Sequence, residues 1–495
     1  MRGAIPFLWL ILYCAAVAFC TTAAAQPAPV LTWITNSSVK LEQVIGDVDW
    51  ANGSNTVSQT ITRFKIEGTD ISSSFMCGTN RIFFFGDTIG SNVNYHAADP
   101  VAWSTTTNGE DGLRLNFFTN SAGSNVFVNP AGISMAGDDT PNAGICISNV
   151  IYVICNTGSN PNGTNPAQKH ADDYSVLVTF DQTNLVFQTN RTISVVTNDG
   201  HFIITSLRQF GTNVLMFGAG TYRASDIYLA TTPVSSYLSG SGTLYFTGLT
   251  NGQPTWSSVE TNAVPVVQDN PTNGPAWPYD SPSVGNMSVI YSTNLSLWLM
   301  TYDGGRKTDD KTNYTGIYFS YAAQPWGPWS TPQMVFNPTR DHGFGVFIHN
   351  NDYSPTGPDG PTIDPSKNDP TNTTGDVYAA SMIESFTRIT NSTVFIYYTM
   401  ATWNPYTVLK MRSAFSIIPV IDPDSLVKLK KKFSFAWTAP TNIIYHVDYS
   451  TNLLSGWTTF TNIITSTNGT FNFTDNGTNI GGLGSTKFYR LRTEP

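Results

Sequence analysis

Short strand-forming runs and missing helical periodicity constrain this chain more than any other feature. Segments such as RIFFFG, GICISNVIYVIC, SVLVTF, HFIITSL, NVLMFGAG, MSVIYS, LWLMTYDGG, GIYFSYA and TVFIYYTM follow one another. Gly, Asn, Pro and Asp punctuate them at spacings of about 8 to 12 residues. Past the N-terminal leader, no stretch repeats apolar residues at i, i+3, i+4 and i+7. Several runs are apolar on both faces, as strands inside packed sheets must be. The chain is therefore expected to be all-β.

A domain boundary follows from a change of character after about Phe415. Up to there, repeated sheets over about 390 residues suggest a five-bladed β-propeller at roughly 78 residues per blade, with a double-layered sandwich as the fallback. Long loops at 156–173 and 339–377 absorb the excess length. IIPVIDPDSLVKLKKK, with proline, then acid, then base, reads as a linker. FSFAWTA, YHVDYS, WTTFTNI, TFNFTD and FYRLRT then read as a small fibronectin-like β-sandwich. The expected layout is a signal peptide at 1–25, a propeller at 26–419, a linker at 420–432 and a sandwich at 433–495.

The first 25 residues place one arginine before an apolar run that ends in Ala23, Ala24 and Ala25. That is a bacterial-type signal peptide, so export to the periplasm, cell surface or medium is expected. No later run is apolar over the 18 or more residues that a membrane helix needs. Of the five cysteines, Cys77, Cys146 and Cys155 survive processing, which permits at most one disulfide. Cys146 and Cys155 flank ISNVIYVI, and either pair across neighbouring strands or serve as buried apolar residues.

Charge is scarce: 12% of residues are ionic and the net charge is −9. Apart from Lys428, Lys430, Lys431 and Lys432, the cations are scattered. No basic stripe exists to neutralise phosphates, so nucleic acid is excluded as a partner. Scarcity makes each carboxylate beside a strand end informative. Asp70, Asp87, Asp99, Asp280 and Asp303 all stand next to Gly, Pro or aromatic residues, where they either cap turns or face a pocket. Two carboxylates facing one pocket are the minimum for glycoside hydrolysis. Asp70 and Asp87 are the candidate pair, Asp70 as base or nucleophile and Asp87 as acid or positioner.

Substrate contacts are expected from Asp99, Asp280, Asn286, Asp303, His349, Trp403, Asn404 and Tyr406. Aromatic faces of the loop residues Trp103, Trp277, Tyr279, Trp326, Trp329, Trp403 and Tyr406 suit either sugar rings or packing between blades. No metal site, serine elbow, phosphate loop or dinucleotide fingerprint is found. The loop at 341–372 carries Asp and carbonyl oxygens suited to Ca²⁺, but without the spacing of a calcium loop. No other cofactor is implied. The expected partner is a poly- or oligosaccharide, and the expected state a monomer.

In order, EGTDIS, FFFGDTIG, DPVAWSTTTNGEDGL, GNMSVIYSTNLSLWLMTYDGG, PWGPWS and TWNPY resemble the family catalogued as domain of unknown function 4185, from about residue 60 to 415. The resemblance implies a five-bladed β-propeller glycosidase. Some members form glycoside hydrolase family 183, endo-acting enzymes that cut D-arabinan. It places Asp70 on the family's GTD aspartate, Asp87 on its GDT aspartate, and Asn404 and Tyr406 in WNPY. One departure is Gly285-Asn286, where the family is expected to carry Gly-Glu, because an amide cannot serve as a general acid. The C-terminal YHVDYSTNLLSGW and FYRLR resemble an accessory module of exported proteins from environmental bacteria. A non-catalytic carbohydrate-binding propeller and a surface adhesin remain as rival readings.

Overall fold

A computed structural model describes residues 29–91, 98–158, 173–223, 225–268, 284–304, 316–350, 374–429, 432–441, 443–454, 456–478 and 487–493. The leader at 1–25, Asp280, Trp277, Tyr279 and most of the Asp-rich loop after His349 lie outside the described residues. The protein is all-β, as its run pattern demands. Among the described residues, the single α-helix is Thr60–Phe64, and no helix is long and apolar enough to cross a membrane.

Five of the sheets are antiparallel and each follows the last along the chain. Their innermost strands are Ser73–Cys77, Thr140–Ile147, Ile204–Phe210, Met287–Ser292 and Val377–Met382. These strands contact one another in cyclic order, and the fifth returns to the first. The fifth sheet is built from both ends of this region. Val30–Trp33 and Val39–Gln43 pair antiparallel with Thr407–Ile418, in registers running from Val30↔Ile418 and Val39↔Arg412. Backbone hydrogen bonds between the first and last strands thereby close the ring.

Side chains reinforce that closure from sheet to sheet. The Thr205 amide donates to Asn142 Oδ1 at 3.0 Å, the Val289 amide to Ser206 Oγ at 2.9 Å, and the Met382 amide to Ser288 Oγ at 3.0 Å. Each bond joins the inner strand of one sheet to that of the next. Buried amides without a strand neighbour need such partners, because an unpaired buried donor costs about 1–3 kcal/mol.

RIFFFG shows how the sheets bury one another. Its strand, Asn80–Phe84, is second from the centre and not innermost. Phe84 packs with Val153 and Val178 of the second sheet, while Phe83 and Phe85 pack with Tyr397 and Val408 of the fifth. All three rings are within 1% of full burial. A strand sealed on both faces explains the unbroken aromatic run, each ring contributing about 1.5–3 kcal/mol of burial.

Residues 420–432, read from the sequence as a linker, contain the strands Val420–Ile421 and Val427–Leu429, both paired to Lys432–Thr438. Thr470–Asp475 completes that sheet, and Thr458–Thr459, Tyr445–Ser450 and Phe488–Thr493 form another. Phe435, Trp437, Tyr445, Phe471 and Phe473 belong to one apolar cluster with Phe319, Phe415 and Ile417 of the ring. The C-terminal sheets therefore pack on the ring directly.

The cysteines also differ from expectation. Cys146 is bonded to Cys77, with Cα atoms 5.3 Å apart, and Cys155 is a buried free thiol. The register explains why Cys146 and Cys155 do not meet, since Cys146 faces Ile151 and Cys155 faces Pro141. Cys77 and Cys146 end the inner strands of adjoining sheets. Opening this 69-residue separation should cost roughly 4 kcal/mol on the chain-entropy account. Cys77→Ser and Cys146→Ser should each lower the thermal midpoint by the same amount as the double variant, measured by calorimetry without reductant. Additive losses would show that the two cysteines are not bonded.

Candidate active site

The two-stranded ribbon Ile66–Thr69 and Thr88–Gly90 sets up the site. Its register places Thr69 opposite Thr88, and the Thr88 hydroxyl donates to Thr69 Oγ1 at 2.7 Å. Asp70 and Asp87 are the next residues of the two strands beyond this pair, the Gly86 amide donates to the Asp70 carbonyl at 3.0 Å, and the Asp87 charge acts on Asp70. Gly86 precedes Asp87 and packs against Asp70. A Cβ there would sit 2.4 Å from Asp70 Oδ1, so a side chain at 86 would displace the carboxyl.

Asp70 reaches across to the fifth sheet, where the Tyr378 hydroxyl donates to its Oδ2 at 2.9 Å. The residues that follow both partners hold left-handed backbone, Ile71 at φ 46° and Ala379 at φ 53°. A β-branched residue pays about 1–3 kcal/mol for that conformation. Both strained residues stand beside the Asp70–Tyr378 contact.

Asp70 Oδ1 is sealed from solvent and meets no donor at full hydrogen-bond geometry among the described residues. Burial and then the neighbouring Asp87 charge push the Asp70 pKa up to about 8, against partial relief from the Tyr378 and Tyr406 hydroxyls. Asp138 adds a further negative charge. Asp99 is fully buried, and among the described residues neither of its carboxyl oxygens has a hydrogen-bond donor. Burial, then Asp87, Asp70 and Asp139, lifts it well above the carboxylate range. Asp87 is itself only 6% exposed. Like charges with little water to separate them cannot all ionise, so part of this cluster carries protons at neutral pH.

A second group balances charge on the fourth sheet. Asp303 is fully buried and accepts from the Asn286 amide at 2.7 Å, the Ala379 amide at 3.1 Å, and Arg223 Nη2 at 3.2 Å. Its shift is upward from burial, partly offset by Arg223. Gly285 is required there, since a Cβ would stand 2.0 Å from Asp303 Oδ2. The Arg223 guanidinium also lies 3.9 Å from Asp376.

The sequence candidates therefore divide. Asp70, Asp87 and Asp99 form one electrostatic cluster. Asp303 holds Arg223 and the Asn286 backbone. Tyr406 is fully buried and donates to the Asp87 carbonyl at 3.0 Å. Asn404 is fully buried, its carbonyl accepting from the amide of His349, which is 3% exposed. Trp403 packs edge-on against Tyr406 at 5.9 Å. Sequence reasoning missed Tyr378, Arg223, Asp138, Asp139 and Asp376. GDDT, which places two aspartates before the strand Thr140–Ile147, carries the same strand-end signal as Asp70. Among the described residues, no group of three or more His, Cys, Asp or Glu side chains fits a metal ion.

Residues 55–412 match the family model described as "Domain of unknown function (DUF4185)", and the chain belongs to that family. No curated protein matches it. Similar solved structures include an α-L-arabinofuranosidase from Podospora anserina, 11% identical, covering 77% of this chain and 97% of that one at a TM-score of 0.39. Another is an endo-1,5-α-L-arabinanase from Thermotoga petrophila, 10% identical, with 83% and 98% covered at 0.38.

The Asp70 shift has a stability consequence. An unfolded aspartate titrates near 3.9, so below about pH 4 both states are protonated and nothing is lost. As pH rises toward 8 the unfolded chain ionises first, and native stability falls through that window. Asp70→Asn removes the penalty. Its thermal midpoint should exceed that of the natural protein at pH 8–9 and converge with it near pH 4–5. A constant difference across that range would contradict the shift.

Proposed function

We propose that this member of the family is an exported glycoside hydrolase that cleaves a furanose-rich polysaccharide such as D-arabinan. In this reading the five sheets form a five-bladed β-propeller, the C-terminal pair of sheets forms a small fibronectin-like accessory sandwich, and the monomer acts alone. The carrying observation is the pair Asp70 and Asp87, one of them held protonated near neutral pH. Glycoside hydrolysis requires one carboxyl that delivers a proton to the leaving oxygen and one that attacks the sugar or activates water.

The raised pKa of Asp70 reverses the roles expected from sequence. A carboxyl pushed up to about 8 is an acid at pH 7, so Asp70 protonates the glycosidic oxygen. Tyr378, donating to Asp70 Oδ2, fixes the carboxyl plane. Asp87 is the partner carboxylate, its backbone anchored by Tyr406. With Asp70 as acid, Asn286 in place of the family glutamate does not remove the proton donor.

The rival reading, a carbohydrate-binding propeller without catalysis, is favoured by Asn286 and by the low charge of the whole chain. Reducing-end release from D-arabinan separates the two. Asp70→Asn and Asp87→Asn should each lower kcat by about 10²–10⁴-fold while glycan binding by calorimetry persists. The kcat/KM profile of the natural protein should fall as pH rises through about 8. Binding with no product release from the natural protein would establish the rival, and full activity in both variants would exclude this carboxylate pair.

A further inference from the structure

The centre of the ring encloses a cavity of about 400 Å³ lined by the inner strand of every sheet. Its two ends differ in charge. The strands begin beside Asp70, Asp139, Asn286 and Asp376. At the opposite end the lining includes Arg81, Arg208, Glu384 and Ser385.

Arg81 is 3% exposed. Its Nη1 donates to the Thr106 carbonyl at 2.6 Å, its Nη2 donates to Ser385 Oγ, and its guanidinium lies 4.1 Å from the centre of the Phe386 ring. Among the described residues, no carboxylate pairs with it. Burial alone acts on this cation and pulls its pKa down to about 10. Arg208 Nη1 pairs with Glu384, while its Nε is sealed from solvent and has no acceptor among the described residues. Glu384 and Ser385 are consecutive in the turn Glu384–Phe386, so one turn holds both guanidinium groups at this end. Two cations face one carboxylate.

A buried cation without a counter-charge is costly, and proteins pair such groups or supply a ligand. The planar fork of a guanidinium fits two oxygens of one anion. We propose that this end of the cavity, opposite the one beside Asp70 and Asp139, binds a small oxyanion, a phosphate or a carboxylate group, between Arg81 and Arg208. The acidic mouth repels the same anion, so the two ends take different ligands, and the inference is independent of the hydrolase reading.

Thermal unfolding of the full chain tests it, with inorganic phosphate and acetate each titrated against chloride at matched ionic strength and pH 7. A ligand that binds only the native state raises the midpoint in a saturable way. The natural protein should show a saturable rise with phosphate, with acetate, or with both, and the responsive anion identifies the ligand group. Arg81→Gln should abolish that rise. Arg208→Gln, at a more exposed position, should weaken it at least tenfold in half-saturating concentration, and it carries the test if Arg81→Gln does not fold. A response no greater than that to chloride, or an equal saturable response in a folded variant, would overturn the site.

Discussion

Ring closure is the constraint on which everything else rests. Val30–Trp33 and Val39–Gln43 hydrogen bond to Thr407–Ile418, so residues separated by more than 370 positions share one sheet. An open row of sheets would expose the apolar flanks of its first and last members, and unpaired strand edges invite aggregation. Closing the ring buries both flanks, and the side chain to amide bonds from Asn142, Ser206 and Ser288 fix the spacing between inner strands. Because those strands run in one direction, their starts gather at one end of the cavity and their finishes at the other.

The candidate site uses that common end at a thermodynamic cost. Asp70, Asp87 and Asp99 repel one another, with Asp87 and Asp99 buried and Asp70 partly so, and Ile71 and Ala379 hold strained backbone beside them. Strain and like-charge crowding persist only where surrounding structure over-determines them. Here the packed sheets supply that surplus, and a carboxyl that stays protonated at neutral pH is the return. The same geometry strands Arg81 at the other end. The cavity is thus polarised, acidic where the strands start and basic where they finish.

Much of the site was legible because charge is so rare in this chain. Asp70, Asp87 and Asp99 each stand at the edge of an apolar run, and a polar residue at such a boundary either caps a turn or faces a pocket. Tyr378 and Arg223 were not legible, since tyrosine in a strand and arginine in a loop have many ordinary reasons to be there. Their roles exist only through partners 308 and 80 residues away. Cys77 with Cys146 failed for a related reason. Spacing along one hairpin suggested Cys155, whereas the pairing runs between two sheets.

Local alternation and turn residues were enough to dictate an all-β chain with strand ends rich in aspartate, because strand formation and turn chemistry depend on near neighbours in sequence. Family membership was legible in the same way, from short motifs in a fixed order. Which carboxylate keeps its proton, which cysteines bond, and that residues 420–432 join a sheet were decided by tertiary structure. Each depends on groups that become neighbours only once the ring closes, and on the exclusion of water that closure brings.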